Sequence, residues 1–319
     1  MATYLITGIA GFIGSTLARA VLEQGDRVRG VDDVSTGNPG NIAEVRDRID
    51  FRQLDLADAA ALGDVCQGVD FVLHQAAIPS VPRSVSDPLG THNANVNGTL
   101  NLLLAARDAH VQRLVFASSS SIYGDTPTLP KHEQMLPDPI SPYAVSKLTG
   151  ESYLKSFYRV YGLETVALRY FNIFGPRQDP TSQYSGVLAV FIPRMLRGEP
   201  VTIYGDGEQT RDFTFVANAV AANLQACLAP ADKVAGRAFN VATGTRISLK
   251  QTAAVLRDLI GYAGEVKYAP ERSGDIKHSL ADISRATAAL GYQPRVDFET
   301  GLRQTVAWYR GTLTSAVGK

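Results

Sequence analysis

Cysteine, net charge and long apolar runs are scarce in this sequence. Only Cys66 and Cys227 are cysteines among the 319 residues, and their wide separation excludes a disulfide framework or a zinc knuckle. The 31 lysines and arginines balance the 31 aspartates and glutamates, so the chain lacks the overall positive charge of an electrostatic nucleic-acid binder. Its apolar runs fall short of the roughly 20 residues that cross a bilayer. We therefore expect neither nucleic acid nor a membrane as a partner.

Two further signals are absent. The first residues carry no basic start and reach Gly8 too early for a secretion signal, so we expect a cytoplasmic protein. The five histidines show no metal-ligand spacing, so we expect no required metal ion. What remains, 45% hydrophobic and 19% charged residues, is typical of a folded globular chain. At roughly 150 residues per domain, the length favours about two domains.

Short β-branched runs alternate with helical patterns in the first half of the chain. This alternation predicts an α/β fold with a Rossmann-type doubly wound parallel sheet. The predicted strands are Tyr4–Thr7, Val28–Asp32, Phe51–Leu54, Phe71–His74, Leu114–Ser118 and Thr165–Arg169.

Beyond about residue 170, closely spaced glycines and prolines indicate a smaller, mixed α/β domain. A predicted helix at Val216–Leu228 and a predicted strand at Phe239–Val241 indicate that the chain returns to the first domain. We expect a cofactor-binding domain at residues 1–170, with a return segment at about 213–242. The substrate-binding domain is expected at residues 171–212 and 243–319.

The first predicted strand runs into a glycine-rich loop, Gly8-Ile9-Ala10-Gly11-Phe12-Ile13-Gly14, and then into a helix. This is the context in which a dinucleotide pyrophosphate binds at a helix N-terminus. The spacing G-x-x-G-x-x-G is a weak signal by itself, because such a turn also serves packing. Asp32 strengthens it: an acid at the end of the second strand accepts hydrogen bonds from an adenosine ribose and repels a 2′-phosphate. Together, the glycine-rich loop and Asp32 favour NAD over NADP.

Four serines, Ser118 to Ser121, follow the fifth predicted strand, and a Tyr143-x-x-x-Lys147 pair lies 24 residues after Ser119. Residues four apart share one face of a helix. A nearby ammonium lowers the pKa of a tyrosine, which is near 10 in water, and so favours the phenolate base. A serine hydroxyl can orient the substrate oxygen. The set predicts oxidation of an alcohol with hydride transfer to a dinucleotide.

Over nearly its full length the chain resembles the extended short-chain dehydrogenase/reductase family, and within it the NAD-dependent nucleotide-sugar epimerases. The branch of UDP-N-acetylglucosamine 4-epimerases and UDP-glucose 4-epimerases is the most similar. Besides the motifs above, the resemblance rests on His74-Gln75-Ala76-Ala77, Asn95-Val96-Asn97-Gly98-Thr99, Arg169-Tyr170-Phe171-Asn172, Arg211-Asp212-Phe213 and Gly274-Asp275.

The resemblance assigns residues to three roles. It implies that Ser119, Tyr143 and Lys147 are catalytic. It implies that NAD is held by Gly8, Gly11, Phe12, Ile13, Gly14, Asp32, Asp33, Ser35, Thr36, Gly37, Asp55, Leu56, Gln75, Ala76, Ala77, Tyr143, Lys147, Tyr170 and Phe171. It implies that the nucleotide-sugar is held by Arg83, Ser84, Ser119, Ser120, Ser121, Tyr143, Asn172, Arg211, Arg272 and Ser279, with the last two arginines near the diphosphate.

The reaction class follows from a difference within that family. Related 4,6-dehydratases carry an Asp-Glu pair after the residue that matches Ser119, and related decarboxylases keep a glutamate there. This chain has Ser120 and Ser121 instead, so elimination and decarboxylation lack their proton-transfer group. We expect a 4-epimerase that works through a transient 4-keto sugar.

Ser279 matches a gate position that is a tyrosine in epimerases restricted to glucose and galactose, so its small side chain leaves room for an N-acetyl group. UDP-N-acetylglucosamine and UDP-N-acetylgalactosamine are the expected substrates, and UDP-glucose and UDP-galactose are a further pair. A UDP-glucuronate 4-epimerase or another nucleotide-sugar oxidoreductase is the alternative, with Arg83 placed to pair with a uronate. A dinucleotide sensor without catalysis is a third hypothesis. The family resemblance also implies a homodimer.

Overall fold

The computed structural model describes residues 1–180, 186–271 and 276–317, with side chains to residue 313. Seven parallel strands form the central sheet in the order β3-β2-β1-β4-β5-β6-β11. Their bounds are β1 Thr3–Thr7, β2 Arg27–Asp32, β3 Ile49–Gln53, β4 Phe71–His74, β5 Arg113–Ser119, β6 Glu164–Tyr170 and β11 Arg237–Val241.

Helices pack on both faces of this sheet and continue into the second half of the chain. Their bounds are α1 Phe12–Glu23, α2 Val81–Ser86, α3 Pro88–His92, α4 Gly98–Asp108, α5 Pro142–Tyr161, α6 Val187–Leu196, α7 Val216–Leu228, α8 Ala231–Val234, α9 Leu249–Ile260, α10 Ser284–Leu290 and α11 Phe298–Val317. Segments of 3-10 helix span Pro39–Arg48, Ala59–Leu62 and Ser120–Tyr123. A π-helical turn, Asn93–Asn97, precedes α4.

Three two-stranded sheets lie outside the central one. The pairs are β7 with β10, β9 with β12, and β8 with β13. Their strands are β7 Ile173–Phe174, β8 Val201–Tyr204, β9 Thr210–Arg211, β10 Thr214–Phe215, β12 Ile247–Ser248 and β13 Val266–Ala269. A separate core of buried side chains from α6, α9 and α11 packs against them, with Phe174 in contact with Phe213, Phe215 and Phe298.

The predicted fold class is confirmed, because the strand order and parallel direction are those of a doubly wound sheet. The helix Val216–Leu228 has the predicted bounds, and β11 joins the central sheet beside β6. The assignment of residues to a cofactor-binding and a substrate-binding domain stays a prediction.

Helix α5 shows how local chemistry sets an element that the site depends on. The Ser141 side chain caps its start by accepting from the backbone N–H of Ala144, and Pro142 occupies the first turn, where no N–H is needed. Gly162, in the left-handed conformation, ends the helix. Leu154 and Phe157 then bury against the sheet, so the first turn stands at the carboxyl edge of the strands.

Candidate active site

The glycine loop joins β1 to α1 at very close backbone distances. Gly8 has φ +67°, and a Cβ on it would lie 2.8 Å from the backbone of Ala76. A Cβ on Gly14 would lie 2.2 Å from the Gly8 carbonyl oxygen. Gly11 caps α1 and has no side chain to cover the first N–H groups of the helix. This cradle fits the pyrophosphate of a dinucleotide, because the helix N-terminus offers free donors and partial positive charge.

Asp32, at the end of β2, is buried beside this loop. Its carboxylate accepts from the backbone N–H of Ala10 at 2.8 Å and of Val34 at 2.9 Å. Burial raises the pKa of Asp32, and those hydrogen bonds oppose the shift. A carboxylate has about four acceptor sites, so it has capacity left for ribose hydroxyls. The sequence did not reveal that Asp32 also fixes the glycine loop through Ala10.

The turn after β2 places the other expected cofactor residues of that segment. Asp33 is exposed and accepts from both the backbone N–H and the hydroxyl of Ser35. Thr36 is also exposed. Gly37 lies over the Asp32 carboxylate, where a Cβ would approach Oδ1 to 2.8 Å. The turn therefore lies beside the acid that is expected to bind ribose.

The carboxyl ends of β3, β4 and β6 bring the remaining cofactor candidates to the same edge of the sheet. After β3, Asp55 accepts from the N–H of Ala57, and Leu56 is buried. The Gln75 amide and the Tyr170 hydroxyl, after β4 and at the end of β6, are joined at 3.1 Å. Both also bind Asn223 of α7, a residue that the sequence analysis did not name. The other expected residues along these ends are Ala76, Ala77 and the buried Phe171.

His74 is packed at the end of β4 and is held from both ring nitrogens. The Thr99 hydroxyl donates to the Asn95 carbonyl, so it accepts from His74 Nε2, and His74 Nδ1 accepts from Thr7. Burial lowers the pKa of His74 to about 3, so the ring is neutral. The Thr7 oxygen accepts from the N–H of Ala76 at 3.2 Å. His74 thus fixes the loop that faces the glycine turn.

Ser119, Tyr143 and Lys147 meet where β5 ends against the first turns of α5. The Ser119 side chain lies beside the Tyr143 phenol and acts to lower its pKa. Lys147 is buried, donates from Nζ to the Ala117 carbonyl at 2.8 Å, and lies 5.9 Å from the centre of the Tyr143 ring. The three expected catalytic residues are therefore adjacent.

The pKa of Tyr143 differs from the sequence expectation. Burial raises it, although the Ser119 side chain opposes the shift. The expected lowering by Lys147 is wrong for the protein alone, because burial disfavours both charges and also lowers the pKa of Lys147 to about 7.

Asn172 and Ser279 lie next to each other although they are far apart in the sequence. Asn172, with φ +39°, donates from Nδ2 to the Asp212 carbonyl at 3.1 Å, and its Nδ2 lies 3.5 Å from Ser279 Oγ. The Asp212 carboxylate is buried and binds residues 243, 244 and 281. Asp212 therefore connects the loops that carry Asn172 and Ser279.

The other expected substrate residues differ in what the structure shows of them. Arg211 donates to the backbone of Thr210 and Lys277. Arg83 is partly exposed on α2, while the buried Ser84 hydroxyl donates to the Val81 carbonyl within that helix. Arg272, Gly274 and Asp275 lie outside the described residues.

Ser120 and Ser121 begin the 3-10 turn after β5. Ser121 Oγ is buried without a hydrogen-bond partner among the residues that the structure describes. A buried hydroxyl without a partner is costly, so it is a good candidate for a contact with a bound molecule.

Within residues 1–180, 186–271 and 276–317, no three His, Cys, Asp or Glu side chains are grouped so as to hold a metal ion. None of the helices in these ranges is both long and apolar enough to cross a membrane.

Comparisons with known proteins agree with this geometry. A model described as "NAD dependent epimerase/dehydratase family" matches residues 4–242. The chain is 40% identical to the UDP-glucose 4-epimerase of Mycolicibacterium smegmatis over 96% of this chain and 98% of that protein. It is 34% identical to a UDP-glucuronate 4-epimerase of Thermodesulfobacterium geofontis, with 98% of each chain covered.

Among solved structures, it matches the UDP-N-acetylglucosamine 4-epimerase of Methanobrevibacter ruminantium, in complex with UDP-N-acetylmuramic acid, with a TM-score of 0.93. The two sequences are 39% identical, and the match covers 98% of this chain and 99% of that one. These similarities extend over the glycine cradle and the serine turn, and confirm the resemblance drawn from the motifs. The chain belongs to the NAD dependent epimerase/dehydratase family.

Proposed function

We propose that the chain interconverts UDP-N-acetylglucosamine and UDP-N-acetylgalactosamine, and also accepts UDP-glucose and UDP-galactose. The enzyme is an NAD-dependent epimerase of UDP-sugars; the choice of sugar and the residue roles are the proposal. One observation carries it: Ser119, Tyr143 and Lys147 form one contact group at the edge of the sheet that also bears the glycine cradle.

Tyr143 is the proposed base and acid of the reaction. It removes the proton of the sugar 4-hydroxyl, and Ser119 orients the same oxygen by a hydrogen bond. NAD held by the glycine cradle and Asp32 would supply a reversible acceptor for the hydride of carbon 4, which must return to the opposite face of the sugar, and its oxidised form would add positive charge beside the phenol. Tyr143 gives the proton back to the 4-keto oxygen after the sugar has turned. The reaction has no net redox change, so no outside reductant is consumed.

Ser120 and Ser121 support epimerisation over elimination. Loss of water from carbons 5 and 6, or loss of carbon dioxide, needs a further acid or base beside the sugar. The serine turn offers only hydroxyls at these two positions. Oxidation and reduction at one carbon, with Tyr143 transferring the proton of the attached oxygen, is the chemistry that remains.

The remaining contacts divide between cofactor and substrate. Asp32 and the glycine cradle are proposed to hold the adenosine ribose and the pyrophosphate of NAD. Arg211 and Arg272 are proposed to bind the diphosphate of UDP, since guanidinium groups suit phosphate oxygens. Ser279, small and placed against Asn172, supports room for an N-acetyl group.

We also propose a cytoplasmic homodimer. Helices α3 and α5 contact each other. The large apolar side chains exposed on them are Leu89, Val145, Val160 and Tyr161. Exposed apolar surface of this kind favours association. The mass of the purified protein in solution tests the dimer.

The function is tested by incubating the purified protein with separate UDP-sugars and no added reductant. We expect both N-acetylhexosamines to reach the same equilibrium mixture from either side, and the hexose pair to do so more slowly. Conversion of UDP-glucuronate alone would favour the uronate epimerase. Stoichiometric consumption of added NADH would favour a reductase, and binding without conversion would favour a sensor.

A further inference from the structure

Helix α5 carries a third polar side chain on the face that bears the catalytic pair. Tyr143, Lys147 and Glu151 follow at four-residue spacing and so lie on one face. Each contacts a different one of three consecutive residues at the end of β5. Tyr143 lies beside the Ser119 side chain, Lys147 donates to the Ala117 carbonyl, and Glu151 accepts from the hydroxyl of Ser118.

Glu151 is buried, and both oxygens of its carboxylate accept hydrogen bonds. Its carboxylate is only 10% exposed and accepts from Arg169 Nε at 2.9 Å and Nη2 at 2.7 Å. Arg169 also donates to the Tyr123 hydroxyl at 2.8 Å. The charge of Glu151 is therefore balanced by Arg169, and the Glu151 oxygens are fixed from behind. A carboxylate held in this way is a rigid acceptor for the Ser118 hydroxyl.

Ser118 and Ser119 are successive residues at the end of β5, and successive side chains of a strand point in different directions. Phe116 and Ser118 face α5, and the Ser119 oxygen accepts from the Ser121 N–H at 3.1 Å. The two serines share one planar peptide unit. An anchor on Ser118 therefore limits the direction in which Ser119 points.

We infer that Glu151 is a positioning residue that aims Ser119 at the substrate oxygen by holding the Ser118 hydroxyl. The inference rests on the proposed function, in which Ser119 orients the sugar 4-hydroxyl. Glu151 itself does not touch substrate or cofactor. Its effect belongs to the chemical step, so it changes kcat rather than KM.

Ser118→Ala tests this with the least disturbance, because Glu151 keeps both hydrogen bonds from Arg169. We expect kcat to fall about tenfold with KM within about twofold, since small misplacements of a catalytic group are costly. The bound NAD should be unchanged. The matched control is Thr165→Val, which removes a buried hydroxyl that donates to the α5 carbonyl of Leu154 at 2.8 Å, far along the helix. It should lower the melting temperature and leave kcat unchanged.

Glu151→Gln distinguishes the position of the oxygen that accepts from Ser118 from the negative charge that Glu151 presents to Arg169. Its amide oxygen can replace Oε1 and keep the bond from Ser118, whereas Arg169 loses its counter-charge. We expect kcat within about threefold of the parent value and a clear loss of melting temperature. An unchanged kcat in Ser118→Ala, or a loss of kcat in Thr165→Val as large as in Ser118→Ala, overturns the inference. Ser119→Ala checks the proposed function separately: if it turns over normally, the role of Ser119 fails whatever Ser118→Ala does.

Discussion

Asn172 and Ser279, both candidates for binding the sugar, are in contact, with Asn172 Nδ2 3.5 Å from Ser279 Oγ. The two residues are distant in sequence: Asn172 follows β6, and Ser279 belongs to the segment that binds the Thr210 carbonyl through its own N–H at 3.1 Å. Ser279 is almost fully buried, so a larger side chain there must displace its neighbours, Asn172 among them.

Ser279→Tyr should therefore depress activity on the N-acetylated sugars more than on UDP-glucose and UDP-galactose. We expect the ratio of kcat/KM for N-acetylated over unsubstituted sugar to fall at least tenfold, because an N-acetyl group needs the space that the phenol ring fills. Ser279→Ala is the control and should leave the ratio unchanged. Equal losses of activity on both sugar classes would refute the role of Ser279 in admitting the N-acetyl group.

Tyr143→Phe should lower kcat by at least about a hundredfold, because it removes the proton-transferring oxygen and little volume. The amount of NAD that copurifies should match the parent protein. Tyr268→Phe, at an exposed position on β13, is the control and should be fully active. A variant at position 143 that retains normal turnover would exclude Tyr143 as the base.

Gly14→Ala should weaken NAD binding at least tenfold, because a Cβ there would lie 2.2 Å from the Gly8 carbonyl oxygen and force the loop open. Gly63→Ala is the matched control, since its nearest contact would lie at 3.9 Å. The measurement is the amount of NAD released when each purified variant is denatured. Equal NAD content in the two variants would show that the cradle does not hold the cofactor.

His74 should make the folded state sensitive to acid. The pKa of His74 is about 3 in the folded protein and near 6.5 when the chain is unfolded, so only the unfolded state takes up the proton between these values. The stability from the neutral ring is fully present above about pH 6.5 and is lost as the pH falls towards 3, by about 1.4 kcal/mol per pH unit.

His74→Gln should reduce the slope of the free energy of unfolding against pH by about one proton between about pH 6 and pH 4. Asn93→Ala, at an exposed position without a titratable group, should leave the slope as it is. Urea unfolding at a series of pH values measures both. Identical slopes in the parent and in His74→Gln would contradict a neutral, buried His74.

The sequence predicted those features that depend on local pattern. Phe71–His74 is a strand with the predicted bounds, and α5 begins at Pro142 because the capping serine and the proline are adjacent in the chain. Alternation of strands and helices sufficed for the parallel sheet. The adjacency of Ser119, Tyr143 and Lys147 also followed, since parallel strands bring their carboxyl ends to one edge.

Features that depend on burial did not follow from the sequence. The direction of the Tyr143 pKa shift depends on how deeply α5 packs against β5, which no spacing reveals. Asn223 reaches the Gln75–Tyr170 pair from α7, across more than fifty residues, and gave no motif. Glu151 had a signal in its four-residue spacing from Lys147, but a charged helical residue is usually exposed.

The central claim, reversible oxidation at carbon 4 with no net redox change, is tested most directly with UDP-N-acetylglucosamine that carries deuterium on carbon 4. We predict UDP-N-acetylgalactosamine that retains this deuterium at carbon 4, formed without added reductant and without accumulation of free NADH. Loss of the deuterium to solvent, or failure to form the epimer, would contradict the account.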